Sequence, residues 1–271
     1  MNKNFFIGIL AAGKGTRMES NIPKVLHNLE NKALIDYVLD TAYELNPEKI
    51  FTVVGFKKEL VINHINNPNI EYIEQKEQLG TGHAVLQLDN PLYGKNGHLL
   101  ILYGDVPNIK HSTLSPIVDE HIKENADVTM ITAILEDPTG YGRIIRDQSG
   151  NLIKIVEEKD CNKSEKAIKE MNPGIYIFKI SKLFKNLKKV KSNNESKEYY
   201  LTDVIELINN SGTVKTKKID NPKEIMGINT IKQLELLQKW NIFLIRLFFF
   251  WFLAFHYLVG LFWKILLQLI M

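Results

Sequence analysis

Phe5-Phe6-Ile7-Gly8-Ile9-Leu10 runs without a break into Ala11-Ala12-Gly13-Lys14-Gly15-Thr16-Arg17-Met18, and Pro23-Lys24 follow shortly after. The apolar run reads as a buried strand. The loop that it empties into is made of small residues, which leave backbone N–H groups uncovered and let a ligand approach closely. Lys14, Arg17 and Lys24 set positive charge around that loop. A small backbone with clustered cations is what a polyphosphate requires, so the stretch predicts a nucleotide site. A tight strand-to-helix turn without a ligand is the structural alternative.

Two phosphate motifs come close and fail. Residues 8–15 read G-x-x-x-x-G-K-G, but a P-loop needs Ser or Thr where Gly15 stands, and Gly8 lies inside the apolar run. Gly13 and Gly15 have the spacing of a dinucleotide fingerprint, but Met18 occupies its third glycine position.

The chain has 271 residues, enough for one large domain or a domain with an appendage. Its net charge of +3 does not argue for nucleic-acid binding, and no basic arm with interleaved aromatics is present. Cys161 is the single cysteine, which excludes a disulfide framework and a cysteine metal cluster and fits a reducing cytoplasm. The N-terminus reads as a strand rather than a signal peptide.

Strand patterns fall at 5–10, 50–54, 70–73, 99–102, 128–135, 153–156 and 174–178. Helical patterns fall at 25–45 (with breaks), 59–66, 82–88, 113–124, 181–187 and 200–209. Such alternation predicts a Rossmann-like α/β fold, a mostly parallel sheet with helices on both faces. Ligands bind such sheets at the carboxyl ends of the strands. The loops after Leu10, Ile73 and Leu102 are therefore the places for a site.

Leu99-Leu100-Ile101-Leu102-Tyr103-Gly104-Asp105 is a buried strand ending in an acid. A carboxylate there, near a phosphate loop, suits Mg²⁺, which prefers oxygen donors; Asp105 also suits a turn before Pro107. Asn229 offers a second oxygen, or caps the segment that follows it. After the strand at 70–73, Gln75 carries an amide that donates and accepts together, which suits a uracil edge, and Gly80 and Thr81 let backbone pack near base or ribose. His83 is expected to face the helix core or cap it. Glu157 and Asn172 suit sugar hydroxyls, and equally a surface or a turn.

Taken in order, L-A-A-G-K-G-T-R-M, P-K-V-L-H, E-Q-L-G-T-G-H-A, L-Y-G-D-V-P, D-P-T-G-Y-G-R-I, I-V-E-x-K-D, E-Y-Y-L-T-D-V and G-I-N resemble the N-acetylglucosamine-1-phosphate uridyltransferase domain of the bacterial bifunctional enzymes that make UDP-N-acetylglucosamine. The resemblance covers roughly residues 4–240. Single motifs are shared with other sugar nucleotidyltransferases, and the ordered series is specific.

The resemblance implies a nucleotide-diphospho-sugar transferase fold, UTP and N-acetylglucosamine 1-phosphate as substrates, Mg²⁺ as cofactor, and a cytoplasmic place in making a cell-wall precursor. It implies that Leu10, Ala11, Ala12 and Gly13 line the nucleotide, and that Arg17 and Lys24 neutralise the triphosphate. Gln75, Gly80 and Thr81 are then the uridine contacts, Tyr103 and Gly104 border the site, and Asp105 and Asn229 hold the metal. Gly142, Glu157, Asn172 and Asn229 contact the sugar phosphate or product. One departure is Asn172-Pro173-Gly174, where Thr is the more usual middle residue; the proline is expected to leave the Asn172 side chain available. Two alternatives stand beside this reading: transfer to another base or sugar, and a non-catalytic, membrane-tethered module that binds UDP-sugar.

Residues 241–271 contain no acidic residue, and their only formal charges are Arg246 and Lys264. Taking those two from the 34 basic residues leaves the rest nearly balanced against 31 acidic ones. The stretch 247–263 is close to the lower length limit for crossing a bilayer core of ~30 Å. This divides the chain into a nucleotidyltransferase domain at 1–240 and a hydrophobic tail at 241–271, expected to be helical. The tail has three readings: a membrane anchor with Arg246 and Lys264 reaching the two interfaces, a helix buried against a partner, or an out-of-frame remnant. The full-length relatives continue into a left-handed β-helix that transfers acetyl groups. No hexapeptide repeat is present here, so this chain is expected to lack that activity. Oligomeric state is left open.

Overall fold

The computed structural model describes residues 2–238 in two compact units, one ending at Ile228 and one beginning at Asn229. In the first unit β1 (Asn2–Ala11) leads to a hairpin of β2 (Asn28–Leu29) and β3 (Lys32–Ala33), then α1 (Leu34–Glu44), β4 (Pro47–Val54), α2 (Lys58–Ile65) and β5 (Ile70–Glu74). Next come α3 (Thr81–Leu86), β6 (His98–Tyr103), α4 (His111–Glu124) and β7 (Val128–Ile134). The remainder is β8 (Gly142–Arg146), β9 (Leu152–Val156), α5 (Lys163–Lys166), β10 (Glu170–Asn172), β11 (Tyr176–Lys179), α6 (Ile180–Leu187), α7 (Asp203–Asn209) and β12 (Val214–Lys218).

The sheet order is β5-β4-β1-β6-β11-β7-β10-β8-β9, with β12 pairing β7. From β5 through β6 every pair is parallel. β11 then enters antiparallel between β6 and β7, and β10, β8 and β9 continue antiparallel from the far end of β7. The sheet is thus parallel where the sequence patterns are strongest, with an antiparallel extension beyond.

Helices cover both faces, as the alternation of side chains in β1 requires. Phe5, Ile7, Ile9 and Ala11 pack into one core with Ile35, Val38 and Ala42 of α1, Val61 of α2 and Leu114 and Val118 of α4. Phe6 and Leu10 point the other way, into a core with Val85 of α3, Leu183 and Phe184 of α6 and Val204 and Ile208 of α7. Each such buried side chain contributes roughly 1.5–3 kcal/mol. Gly8 lies within this strand because a Cβ there would stand 2.8 Å from Leu88 Cδ1.

The helical pattern at 25–45 resolves differently. A 3₁₀ turn (Lys24–Leu26) and the β2–β3 hairpin precede α1. The hairpin turns at Glu30, whose φ of 58° no helix accommodates.

In the second unit residues 231–238 are helical. Thr230, not Asn229, caps this helix: its Oγ1 accepts the Gln233 N–H at 3.2 Å, and Gln233 Oε1 accepts the N–H of Asn229 at 2.7 Å and of Thr230 at 3.1 Å. That is a capping box of the T-x-x-Q kind. The apolar tail and the division expected at residue 240 lie outside the described residues. Among those residues no helix is long and apolar enough to cross a membrane.

Candidate active site

The carboxyl ends of β1, β5 and β6 open onto one cleft of about 340 Å³. Leu10, Ala11, Ala12 and Gly13 line it from the end of β1, Gln75, Gly80 and Thr81 from the turn after β5, and Lys24, Tyr103 and Asp105 also face it. Two residues expected at the nucleotide, Gly104 and Arg17, do not line the cleft. The Gly104 N–H donates to the Leu10 carbonyl at 3.0 Å, and a Cβ at Gly104 would come within 3.0 Å of Val25 Cγ1. It serves close packing rather than lining the cleft. Arg17 Nη1 lies 3.9 Å from the Cβ position of Gly140, and so faces the glycine-rich turn before β8.

Lys24 forms an ion pair with Asp105, whose side chain is 9% exposed against 19% for the lysine. The ammonium compensates the charge of the buried carboxylate. Gly15 makes the approach possible. It adopts φ 63°, and a Cβ on it would stand 2.6 Å from Lys24 Cβ. The residue that spoils the P-loop pattern is thus the one that seats the lysine.

The turn after β5 is held from two sides. Gln75 is buried, and its Nε2 donates to the Gly80 carbonyl at 3.2 Å and lies 3.0 Å from His83 Nδ1. His83 therefore neither faces the core nor caps α3; it is half-buried and meets the Gln75 amide. Residues 198–202 form a strap along the same turn. The Tyr199 N–H donates to the Leu79 carbonyl and the Gly82 N–H to the Tyr199 carbonyl, both at 2.8 Å. The Leu201 N–H donates to Thr81 Oγ1 at 3.1 Å. Gly80, at φ 110°, has no room for a side chain, because a Cβ would stand 2.6 Å from the Tyr199 carbonyl oxygen.

Gly142, Glu157 and Asn172 come together on the antiparallel extension. Asn172 of β10 pairs with Gly142 of β8, and Glu157 Oε2 lies 3.4 Å from the Cβ position of Gly142. Burial pushes the Glu157 carboxyl up, a bond from Thr202 opposes this, and Asp203, Asp160 and Glu198 add to the rise. The oxygen of Asn172 is engaged, since Oδ1 accepts the Gly174 N–H at 3.1 Å. Pro173 thus leaves the side chain less open than expected, because Asn172 closes its own turn. Tyr103 stands between the two groups of residues. Burial raises its hydroxyl well above the ordinary range, and Glu157 and Asp105 both contribute.

Asn229 belongs to the second unit, where its N–H is bound by Gln233. Gln78, Ala84 and Glu198 line the cleft but are absent from the sequence-derived set. Gln78 follows Gln75 by three residues and its Nε2 donates to the Gln75 carbonyl at 3.0 Å, a spacing that marks it as part of the same turn. Glu198 arrives from more than a hundred residues away, and no local pattern announces it. Among the described residues no group of three or more His, Cys, Asp or Glu is placed to hold a metal ion.

A parallel sheet ending in a small-residue loop, a buried acid and a seated lysine make a cleft suited to a nucleotide's phosphates. Residues 8–241 match the family described as nucleotidyl transferase, and the chain belongs to it. The bifunctional protein GlmU of Thermosipho melanesiensis is 48% identical over 231 residues, 85% of this chain and 49% of that protein. GlmU of Caldanaerobacter subterraneus subsp. tengcongensis is 45% identical over 233 residues, 85% of this chain and 50% of that protein. The chain therefore spans about half the length of these relatives, and the family resemblance drawn from its motifs holds. The crystal structure of a UDP-glucose pyrophosphorylase complexed with UDP-glucose superposes with a TM-score of 0.71 at 20% identity, covering 88% of this chain and 98% of that one. At that identity the likeness bears on the fold.

Proposed function

We propose that the chain transfers a uridylyl group from UTP to N-acetylglucosamine 1-phosphate, forming UDP-N-acetylglucosamine, a cell-wall precursor, and pyrophosphate. The observation that carries this reading is the Lys24–Asp105 pair set in a cleft lined by the backbone of Leu10 to Gly13. The ordered motifs shared with GlmU supply the choice of base and sugar.

In this reading the small backbone of Leu10 to Gly13 lies against the nucleotide, and Lys24 and Arg17 neutralise its phosphates. Gln75, Gly80 and Thr81 recognise uracil and ribose, with Tyr103 at the border and Gly104 packed behind it against Val25. Gly142, Glu157 and Asn172 receive the sugar phosphate. An oxygen of the sugar 1-phosphate bonds to the α-phosphorus as the bond to the bridging oxygen of the β-phosphate breaks, and pyrophosphate leaves with that electron pair. The attacking oxygen is already ionised near neutral pH, so no general base is needed. The obstacle is bringing two anions together, which makes positioning and charge neutralisation the main contributions.

Asp105 fits a magnesium ion by the chemistry of its donor: a buried carboxylate at a strand end beside a phosphate site. Magnesium commonly takes one or two carboxylates and fills its shell with water and substrate phosphate. Asp105 would hold it, and when bound it supplies Lewis-acid stabilisation of the phosphate oxygens.

The test is pyrophosphate release by the full chain given UTP, N-acetylglucosamine 1-phosphate and Mg²⁺. Release that disappears with EDTA and falls sharply with CTP or dTTP supports the reading. Binding of UTP without any release overturns it in favour of a binding module.

A further inference from the structure

Thr202 stands directly before α7, where a threonine hydroxyl ordinarily accepts a hydrogen bond from the first exposed N–H groups of a helix. Here the side chain makes no such cap. Its Oγ1 donates instead to Glu157 Oε1 at 3.0 Å, and Thr202 is only 4% exposed. The second carboxylate oxygen, Oε2, faces Gly142, which has no side chain to cover it. One oxygen of Glu157 is thus occupied by the protein, while the other lies against the side-chain-free backbone of Gly142.

The strap that carries Thr202 fixes this arrangement. Tyr199 is bonded through both its N–H and its carbonyl to the turn at Leu79–Gly82, and Leu201 through its N–H to Thr81. The hydroxyl of Thr202 is therefore delivered to Glu157 from a segment that is itself anchored at the nucleotide end of the cleft.

We propose that Thr202 is a positioning residue for the sugar phosphate: it locks one oxygen of Glu157 so that the other is presented as a directed acceptor for a hydroxyl of the sugar ring. This rests on the reading of Glu157 as a sugar contact. A carboxylate free to rotate would offer the ring hydroxyl several orientations, whereas one tied through Oε1 offers a single one. The ligand class is a hexose phosphate with a ring hydroxyl free to donate.

Steady-state kinetics of the full chain, with each substrate varied in turn, test this on Thr202→Val, Thr202→Ser and Glu157→Gln. Thr202→Val keeps the shape and removes the donor. It is expected to raise the KM for N-acetylglucosamine 1-phosphate roughly tenfold, the scale of one lost hydrogen bond to a charged group, with the KM for UTP within about twofold. Thr202→Ser is expected to restore the native value. Calorimetric binding of UDP-N-acetylglucosamine gives the same ranking without turnover. If Glu157→Gln weakens the sugar phosphate and Thr202→Val does not, the positioning role fails while the sugar reading stands. If Glu157→Gln has no effect on either measure, both fail. A Thr202→Val chain that raises both KM values together, or that Ser does not rescue, marks Thr202 as a merely structural tie.

Discussion

Lys24 and Asp105, 81 residues apart in sequence, meet as an ion pair at the mouth of the cleft. The lysine comes from the 3₁₀ turn after the glycine loop, and the acid from the end of a strand buried on both faces. Each is placed by an element that has little freedom to move.

Asp105→Asn keeps the volume and removes the charge. Turnover is expected to fall by at least roughly a hundredfold, the scale of losing one preorganised electrostatic contact. The melting temperature should stay within a few degrees of native. Native-like rates at low Mg²⁺ would sink the metal assignment.

Gly15→Ala tests the seat of the lysine. An alanine at φ 63° costs about 1 kcal/mol in the backbone, and its Cβ lies 2.6 Å from Lys24 Cβ, so the lysine must shift. Displacement of a catalytic group by about an ångström costs on the order of a hundredfold in rate. Pyrophosphate release is expected to fall far more than stability does, and the two are read by coupled assay and thermal melt.

Glu158→Ala addresses a buried cation. Arg143 is 2% exposed, its Nη2 pairs with Glu158 Oε2 at 2.7 Å, and its Nε meets no acceptor among the described residues. Its Nη1 donates to the Tyr141 carbonyl, and Glu158 Oε2 also accepts the Gly140 N–H at 3.2 Å. Removing the carboxylate leaves a desolvated guanidinium and loosens the turn. Because Glu158 keeps some solvent contact, a loss of about 2 kcal/mol is expected, read in urea titration. An unchanged midpoint contradicts it.

The pH dependence of stability follows from a histidine pair remote from the cleft. His98 Nδ1 lies 2.9 Å from His121 Nε2, and His121 Nδ1 lies 2.8 Å from Thr129 Oγ1. Burial, reinforced by His98, pushes His121 down to about 4, with Asp127 and Glu124 opposing. A histidine whose folded-state value is lowered binds its proton more readily when unfolded. Stability is therefore intact above the unfolded value near 6.5 and declines as pH falls toward 4, by about 3 kcal/mol in all. Melts from pH 7 to 4 should show this slope, and His121→Gln should reduce it, the remainder coming from His98, which burial also pushes down.

The parallel half of the fold was legible because its strands are buried on both faces and read as continuous apolar runs: Phe5 to Leu10 and Leu99 to Leu102 announce themselves. β12 did not, since Val214–Lys218 carries three lysines on a half-exposed strand, and β10 is too short for any period to register. In the cleft, the glycines and the acid were readable from local chemistry. The partners were not. Nothing near Gly80 says that Tyr199 will lie against it, and nothing near Thr202 says that its hydroxyl will forgo the helix for Glu157. Local sequence reports what a residue can do, and only the fold reports what it is placed beside.

The contact between Tyr199 and the turn at Gly80–Gly82 is main chain on both sides. Its tolerance to change is therefore lopsided. The side chain of Tyr199, a residue 36% exposed, can be traded for others without touching those bonds, while neither glycine can gain even a methyl group. A substitution map of this interface would mark two small, chemically silent positions as intolerant and pass over the large aromatic one. The grip on that end of the cleft would then be written in the residues with the least to show.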